Sequence, residues 1–482
     1  MKLVMKFGGT SVSESSRIRH VAGIVRDHAR KGNKIVAVVS AMSGVTDRLI
    51  EAAEKASVRD RNCIDTFVDS LAEKHAQASQ EVIQNKEILD QTLKLLNRQI
   101  EDLEKVLIGI TYLGELTARS RDYVLSFGEK LSAIVMSGAL RDLGLRVEYF
   151  TGGECGIVTD DCFGEAKPLM NITKQQVKEK LGPIIEAGVV AVVTGFIAMT
   201  QDGLTTTLGR GGSDYTATTL GAALQVDEVW IWTDVDGLMT ADPKVEPSAK
   251  TIPSMSFSEA MEMVYFGAKA MHPRALEPAS EREIPIRVKN TFNPDNHGTL
   301  IVQEWQVKPK TVVKAVAIIR DVVMITVTGP GIVRASDIVA KVFNILRDNN
   351  IDVLMVSQSS SQANVSFMIS RTNSEKVVNT LELSLLGTGF AKEVISETDV
   401  CVVAVVGAGM KGTPGVAARV FKTVADQGVN IRMIAQGSSE LNISFVVDES
   451  GGVKALRALH HEFALGGQDS LRTGASSRGG SS

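Results

Sequence analysis

The feature that most constrains this chain is an internal repeat towards its C-terminal end. Displaced so that Lys314 falls on Lys392, the sequence meets itself without a gap: Asp321 falls on Asp399, Gly329 on Gly407, Gly331 on Gly409, Phe343 on Phe421, Gln358 on Gln436, Asn364 on Asn442 and Phe367 on Phe445. Each copy reads as a strand, a Gly-x-Gly turn, an amphipathic helix, a strand, a Ser-rich polar turn and a further strand, which is a small α+β unit. Two copies predict a paired module over 313–388 and 389–466. The stretch 1–305 is left to form a separate domain. Residues 304–312, with Lys308-Pro309-Lys310, read as a linker, because proline is poorly accommodated inside regular structure. From 467 to 482 the chain is mostly Gly, Ser and Arg, so a disordered tail is expected there.

Over 1–305, short apolar runs alternate with amphipathic stretches: 3–7, then 15–31, then 35–40. Strand, helix, strand in this order predicts a parallel α/β sheet. The runs 189–194 and 228–233 read as further buried strands, each closing on polar or glycine residues, where ligands of open α/β sheets gather. Between 51 and 112 the apolar residues move to helical spacing among many charges, so a helical excursion from the sheet is expected.

Hydrophobic residues make up 44% and charged residues 22% of the 482, which excludes a disordered or fibrous chain. The net charge of −4 gives no global positive field, so neither nucleic acid nor an anionic membrane is expected as a partner. No apolar run approaches the roughly 20 residues that span a bilayer. Lys6 and the Gly8-Gly9 pair interrupt the apolar residues at the start, so no export signal is read and the cytoplasm is the expected location. Cys63, Cys155, Cys162 and Cys401 are widely spaced with no Cys-x-x-Cys, which predicts idle or buried thiols and no bound metal.

Two glycine-rich loops carry the chemistry. The first strand runs into Lys6-Phe7-Gly8-Gly9-Thr10-Ser11 before a helix, where backbone N–H groups, a helix N-terminus and a lysine can cradle phosphate. A plain strand-to-helix turn would use the same glycines. The spacing is not that of a Walker loop, and the protein-kinase His-Arg-Asp and Asp-Phe-Gly elements are absent. The second loop, Thr207-Leu208-Gly209-Arg210-Gly211-Gly212-Ser213-Asp214, sets an arginine and a carboxylate among closely spaced backbone donors, which suits an anionic substrate. Thr233-Asp234-Val235-Asp236-Gly237 and Phe266-Gly267-Ala268-Lys269-Ala270-Met271-His272-Pro273 complete the set.

In order along the chain these motifs resemble the aspartokinases of the amino-acid kinase family. The likeness includes Val-Ser-Ala-Met-Ser-Gly-Val-Thr at 39–46 and Ser-Phe-Gly-Glu at 126–129, and the paired repeat resembles tandem ACT domains. The resemblance implies an α/β fold: a carbamate-kinase-like three-layer αβα sandwich over 1–305, followed by two α+β ACT-like domains. It also implies ATP-dependent phosphorylation of the β-carboxylate of L-aspartate, the entry to lysine, threonine and methionine synthesis. With a pKa near 3.9 that carboxylate is already ionised, so no general base is needed. The demand is for positive charge and positioning.

By similarity, Lys6 and Lys269 would neutralise the phosphates of ATP, with Mg2+ held mainly through those phosphates, and Asp214 would orient the lysines. Gly8, Gly9 and Thr10 would hold the transferred group, and Thr233, Asp234, Met239, Lys244 and Ala270 would lie on the nucleotide. At Met239 the family more often has Tyr, and at Lys244 more often Arg. Ser40, Thr46, Glu129, Arg210, Gly211, Gly212 and Ser213 would take the α-carboxylate and α-ammonium of aspartate. An amino-acid effector, threonine or lysine, would bind the repeat, with Gln358, Asn364, Gln436 and Asn442 as candidate contacts, although such amides also serve in turns. ACT pairing implies a homodimer or larger homo-oligomer, and strands exchanged between the two copies. The alternatives are an amino-acid kinase with another substrate and a non-catalytic amino-acid sensor. Gly407-Ala408-Gly409-Met410-Lys411-Gly412 matches a dinucleotide fingerprint, but the strand after its helix ends at Gln436 and not at the acid that would hold a ribose.

Overall fold

The computed structural model describes residues 1–267, 271–307, 311–330, 335–358 and 364–467. The chain divides into two compact units, one of Met1–Leu238, Pro253–Phe257 and Lys269–Val307, the other of Met239–Ile252, Ser258–Ala268 and Lys308–Ser482. Segments 239–252 and 258–268, placed by the sequence reading in the 1–305 domain, thus group with the repeat. Residues 308–310 of the expected linker and 468–482 of the expected tail lie outside the described residues.

Up to Val307 the chain forms, in order, β1 (Lys2–Phe7), α1 (Ser15–Arg30), β2 (Lys34–Val39), α2 (Val45–Ser57), α3 (Arg61–Val82), α4 (Lys86–Leu113), α5 (Ala118–Asp142), β3 (Val147–Phe150) and β4 (Val158–Thr159). Then come α6 (Met170–Glu186), β5 (Val190–Thr194), β6 (Ile197–Thr200), β7 (Thr205–Thr207), α7 (Gly212–Leu224), β8 (Glu228–Thr233), β9 (Ser254–Ser256), α8 (Phe257–Tyr265), α9 (Glu277–Glu281), β10 (Ile286–Asn290) and β11 (Thr299–Val302). The main sheet of the first unit has the order β3-β5-β2-β1-β8-β10-β11-β9. Every pairing from β3 to β10 is parallel.

Burial on both faces explains the continuous apolar runs, since a parallel sheet covered by helices has no wet side. Leu3, Met5 and Phe7 point into one core with α1 to α5, while the alternate Val4 is buried on the face that α6 and α7 cover. This is the three-layer αβα sandwich that the motifs implied. The helical excursion is α2, α3 and α4, packed on α5. From Val124 to Leu140 nearly every residue of α5 is buried, so it is a central helix that carries functional residues from inside the core.

The repeat is physical. β12 (Ala315–Ile319), β13 (Val322–Thr328), α10 (Ala335–Asp348), β14 (Met355–Gln358), β15 (Asn364–Ser370) and α11 (Ser374–Leu381) are followed by β16 (Glu393–Glu397), β17 (Val400–Val406), α12 (Val416–Asp426), β18 (Ile431–Gln436), β19 (Asn442–Asp448) and α13 (Glu449–Glu462). The offset that sets Lys314 on Lys392 also carries the bounds of β12, β13 and β15 onto those of β16, β17 and β19. The two four-stranded sheets are β12-β17-β19-β18 and β14-β15-β13-β16. The first strand of each copy therefore joins the sheet of the other, antiparallel to β17 and to β13 respectively.

That exchange accounts for Gly407 and Gly409. A Cβ at either would lie 2.5 Å from the carbonyl oxygen of Val312 or Thr311, where the lead-in to β12 crosses. The glycine-rich pattern here serves a close chain crossing. The segments 239–252 and 258–268 are fastened into the same unit: Ala241 and Phe266 join its apolar cores. The Thr240 hydroxyl and His460 Nε2 lie 3.0 Å apart in a hydrogen bond.

Candidate active site

The cleft of the first unit lies at the C-terminal ends of parallel strands, as expected of a ligand site in an open α/β sheet. It encloses about 360 Å³ and brings together Lys6, Gly9, Ser40, Thr46, Glu129, Arg210, Gly211, Gly212, Ser213 and Asp214. Ten of the residues singled out from sequence thus meet in one place. Lys6 is the penultimate residue of β1 and pairs with Val38 and Ile231 on its two sides, which fixes its backbone. Its ammonium lies 2.5 Å from Asp214, an acid in the first turn of α7. Both side chains are largely buried, at 12% and 8% exposure, with the cleft on their open side.

Glycine is used where a side chain would collide. A Cβ at Gly9 would sit 2.9 Å from the Ala41 carbonyl oxygen, so the first loop can rest directly on the second strand's loop. Gly211 has φ +71, and a Cβ there would meet His272 Cβ at 2.2 Å. The chain can therefore turn left-handed just before α7 and present Gly212, Ser213 and Asp214 at a helix N-terminus, where anions are favoured. Arg210 stands exposed at the mouth between these glycines.

Glu129 reaches the cleft from α5, inside the core. Its Oε1 accepts the Ala41 N–H at 3.2 Å, whereas Oε2 is buried with no hydrogen-bond partner among the described residues. Burial pushes its carboxyl up to about 8, although the Ala41 N–H pulls the other way. A buried carboxyl with one satisfied oxygen is suited to receive a cationic group, which would favour its charged form.

The remaining expectations fall elsewhere. The Gly8 N–H donates to the Trp232 carbonyl at 3.3 Å, and its Cα hydrogens face the Lys6 ammonium. Thr10 is exposed, and its carbonyl accepts from Arg17. Thr233 closes β8, and its hydroxyl donates to Asp234 at 3.2 Å. Met239 and Lys244 belong to the second unit. Lys269 and Ala270 lie outside the described residues. In the repeat, Gln358 and Gln436 are exposed at the ends of β14 and β18. Asn364 opens β15, opposite Thr328. Asn442 is buried, and its amide donates to Glu262 at 3.2 Å.

Sequence reasoning missed several cleft residues. Phe196 lines it with the left-handed φ of +65, its N–H donating to Thr216. The signal was present, since Phe196 follows Gly195, the glycine just beyond the end of β5. Asp47, in the first turn of α2, also lines the cleft. Among the described residues no group of His, Cys, Asp or Glu is placed to hold a metal ion. None of their helices is long and apolar enough to cross a membrane.

Comparison with known proteins agrees with this geometry. The amino acid kinase family pattern matches residues 1–290, and the ACT domain pattern matches 325–385 and 403–463. Aspartokinase 1, chloroplastic, of Arabidopsis thaliana is 33% identical over 95% of this chain and 80% of its own length. The bifunctional aspartokinase/homoserine dehydrogenase 2, chloroplastic, of the same plant is 34% identical over 96% of the chain, which spans only 50% of that relative's length. E. coli aspartokinase III, solved with aspartate and ADP and again with lysine and aspartate, matches with a TM-score of 0.80 and 29% identity, over 96% of this chain and 99% of that one. A kinase cleft of this composition, joined to a strand-exchanged ACT pair, places the chain in the aspartokinase family.

Proposed function

We propose that this chain transfers the γ-phosphoryl group of MgATP to the β-carboxylate of L-aspartate, giving 4-phosphoaspartate and ADP. The observation that carries the reading is the cleft itself: an exposed arginine, a buried carboxyl with one oxygen unpartnered among the described residues, and a lysine–aspartate pair beside a glycine cradle. Arg210 would take the α-carboxylate and Glu129 the α-ammonium, an arrangement complementary to a zwitterion. Ser40, Thr46 and Ser213 would add hydrogen bonds, and Gly211 and Gly212 would allow close approach.

A β-carboxylate oxygen then attacks the γ-phosphorus, and the bridging oxygen departs with ADP. The attacking group is already ionised, so the protein's task is to hold two anions together. Lys6, oriented by Asp214, supplies positive charge there, with backbone N–H groups of Gly9 and Thr10 around the transferred group and Gly8, whose own N–H is taken by the Trp232 carbonyl, leaving room for it. Mg2+ arrives with the nucleotide phosphates. Lys269, Ala270, Thr233 and Asp234 would complete the nucleotide contacts in this reading.

The ACT half would bind an amino-acid end product, threonine or lysine, through Gln358 and Gln436, and would pair with a second copy in a homodimer or larger homo-oligomer. The exposed ends of β14 and β18 support an effector role for these two amides better than for Asn442, which Glu262 already engages. The test is turnover of MgATP with L-aspartate, trapping the acyl phosphate with hydroxylamine, with and without threonine or lysine. Hydroxamate that either effector suppresses is the expected result. Aspartate binding without hydroxamate would replace the reading with that of a sensor.

A further inference from the structure

The glycine-rich loop 208–211 hangs between the short strand β7 and the helix α7, a slender support for an arginine that must be placed accurately. What steadies it is a carboxylate deep in the core. Asp122, 1% exposed, sits on α5 seven positions before Glu129, about two turns away and so on the same side of the helix. Its Oδ2 accepts the N–H of Thr207 at 2.9 Å and the N–H of Gly164 at 2.9 Å, and its Oδ1 accepts the Thr207 hydroxyl at 2.8 Å.

Thr207 is the last residue of β7, immediately before the loop. Gly164 begins the turn on which the loop rests: a Cβ at Gly209 would lie 3.2 Å from both the Gly164 carbonyl oxygen and Glu165 Cγ. The Ala166 N–H donates to the Thr207 carbonyl at 3.0 Å, which closes the arrangement. One side chain thus joins the strand that feeds the loop to the turn beneath it. Burying a carboxylate is costly unless its oxygens are hydrogen-bonded, and all three of these bonds go to the same junction. Burial raises the Asp122 carboxyl and the hydrogen bonds lower it, so the site opposes ionisation and offsets that through geometry.

We propose that Asp122 is a positioning residue that holds the 164–166 turn and the end of β7 together, and thereby sets Arg210 for the α-carboxylate of the substrate amino acid. The inference rests on the functional reading above and deepens it. Asp122 touches no substrate itself. Its replacement should therefore disturb the amino-acid side of the cleft and leave the nucleotide side alone.

The test uses the full chain. Asp122→Ala is expected to raise the KM for L-aspartate about tenfold or more while the KM for ATP stays within about twofold, because displacement of a binding group by an ångström is costly. Asp122→Asn should restore most of the aspartate KM, since its amide oxygen can accept both backbone N–H groups and its NH2 can donate to Thr207. Amide exchange over 207–212, measured without any ligand, should quicken in Asp122→Ala and not in Asp122→Asn. An Asp122→Ala protein with unchanged aspartate KM and unchanged exchange would overturn the proposal, as would equal rises in both KM values. Should Asp122→Ala fail to fold, Thr207→Val removes the hydroxyl bond alone, and faster exchange with a selective rise in aspartate KM is then the supporting result, no change the opposing one. If the wild-type chain shows no aspartate turnover, the functional reading has failed, and the exchange experiment still decides the role of Asp122.

Discussion

Each unit contains a buried lysine–carboxylate pair, and the two are nearly the same by distance and burial. Lys6 and Asp214 lie 2.5 Å apart in the first unit, Lys314 and Glu259 2.6 Å apart in the second. Exposure separates them little, at 12% and 8% against 9% and 0%. The surroundings separate them. Asp214 lies in the first turn of a helix, just after two glycines, and faces a cleft with Glu129 across it, whereas the second oxygen of Glu259 is held by the Ala408 N–H at 2.7 Å, beside the crossing that Gly407 and Gly409 allow. A buried ion pair alone therefore does not mark a catalytic site. The open side does, because charge that is to act on a ligand must be reachable.

The comparison breaks first on stability. Lys314→Ala leaves the Glu259 carboxylate enclosed without the Lys314 cation, and loss of about 3–5 kcal/mol is expected, the usual cost of breaking a buried pair from one side. Denaturant unfolding measures it. Converting both partners, Lys314→Met with Glu259→Gln, should recover most of the loss, since the amide can still accept the Ala408 N–H. Failure of the double variant to recover would mean that the pair does more than fill its site.

Lys6→Ala should do the reverse. Its kcat is expected to fall about 10²–10³-fold, the usual effect of removing one preorganised electrostatic group. The cleft admits water to Asp214, so the stability loss should be smaller than for Lys314→Ala. Hydroxamate kinetics and unfolding on the same preparation test both halves. Near wild-type turnover in Lys6→Ala would remove the functional distinction between the two pairs.

What could be read in advance follows the same division. Backbone architecture was legible wherever local pattern repeats: the offset between the two copies reappears in the bounds of three strand pairs, and the buried strands β5 and β8 were visible as apolar runs. The cleft was legible because glycines, a lysine and an arginine cluster at strand ends, where the fold must gather them. Asp122 was not. On a helix that also carries Arg119 and Arg121, an aspartate reads as solvated, and its partners lie 42 and 85 residues away in sequence. The glycines at 407 and 409 match a dinucleotide fingerprint that Gln436 argues against, and their structural role was hidden for a related reason. A close chain crossing and a phosphate cradle both require a missing Cβ, and the path of residues 311–313 shows that here it is the crossing.

Glu129 gives the subtlest separation, since its charge state should depend on what occupies the cleft. With its carboxyl pushed up to about 8 by burial, the protonated form prevails at neutral pH. Its contribution to stability is then complete below the ordinary value of 4.5 and is lost as the pH rises through about 8. An ammonium group placed at Oε2 reverses the preference and favours the carboxylate. Aspartate binding should therefore release protons below that pH. Affinity should strengthen between about pH 6 and 8, by no more than about tenfold per unit, the limit for one proton. Glu129→Gln can still accept the Ala41 N–H but cannot ionise, so it should bind aspartate more weakly and lose most of this pH slope. Calorimetric titration in buffers of different ionisation enthalpy counts the released protons directly. A slope in Glu129→Gln equal to that of the wild type would assign the linkage to another group and leave Glu129 a neutral part of the cleft wall.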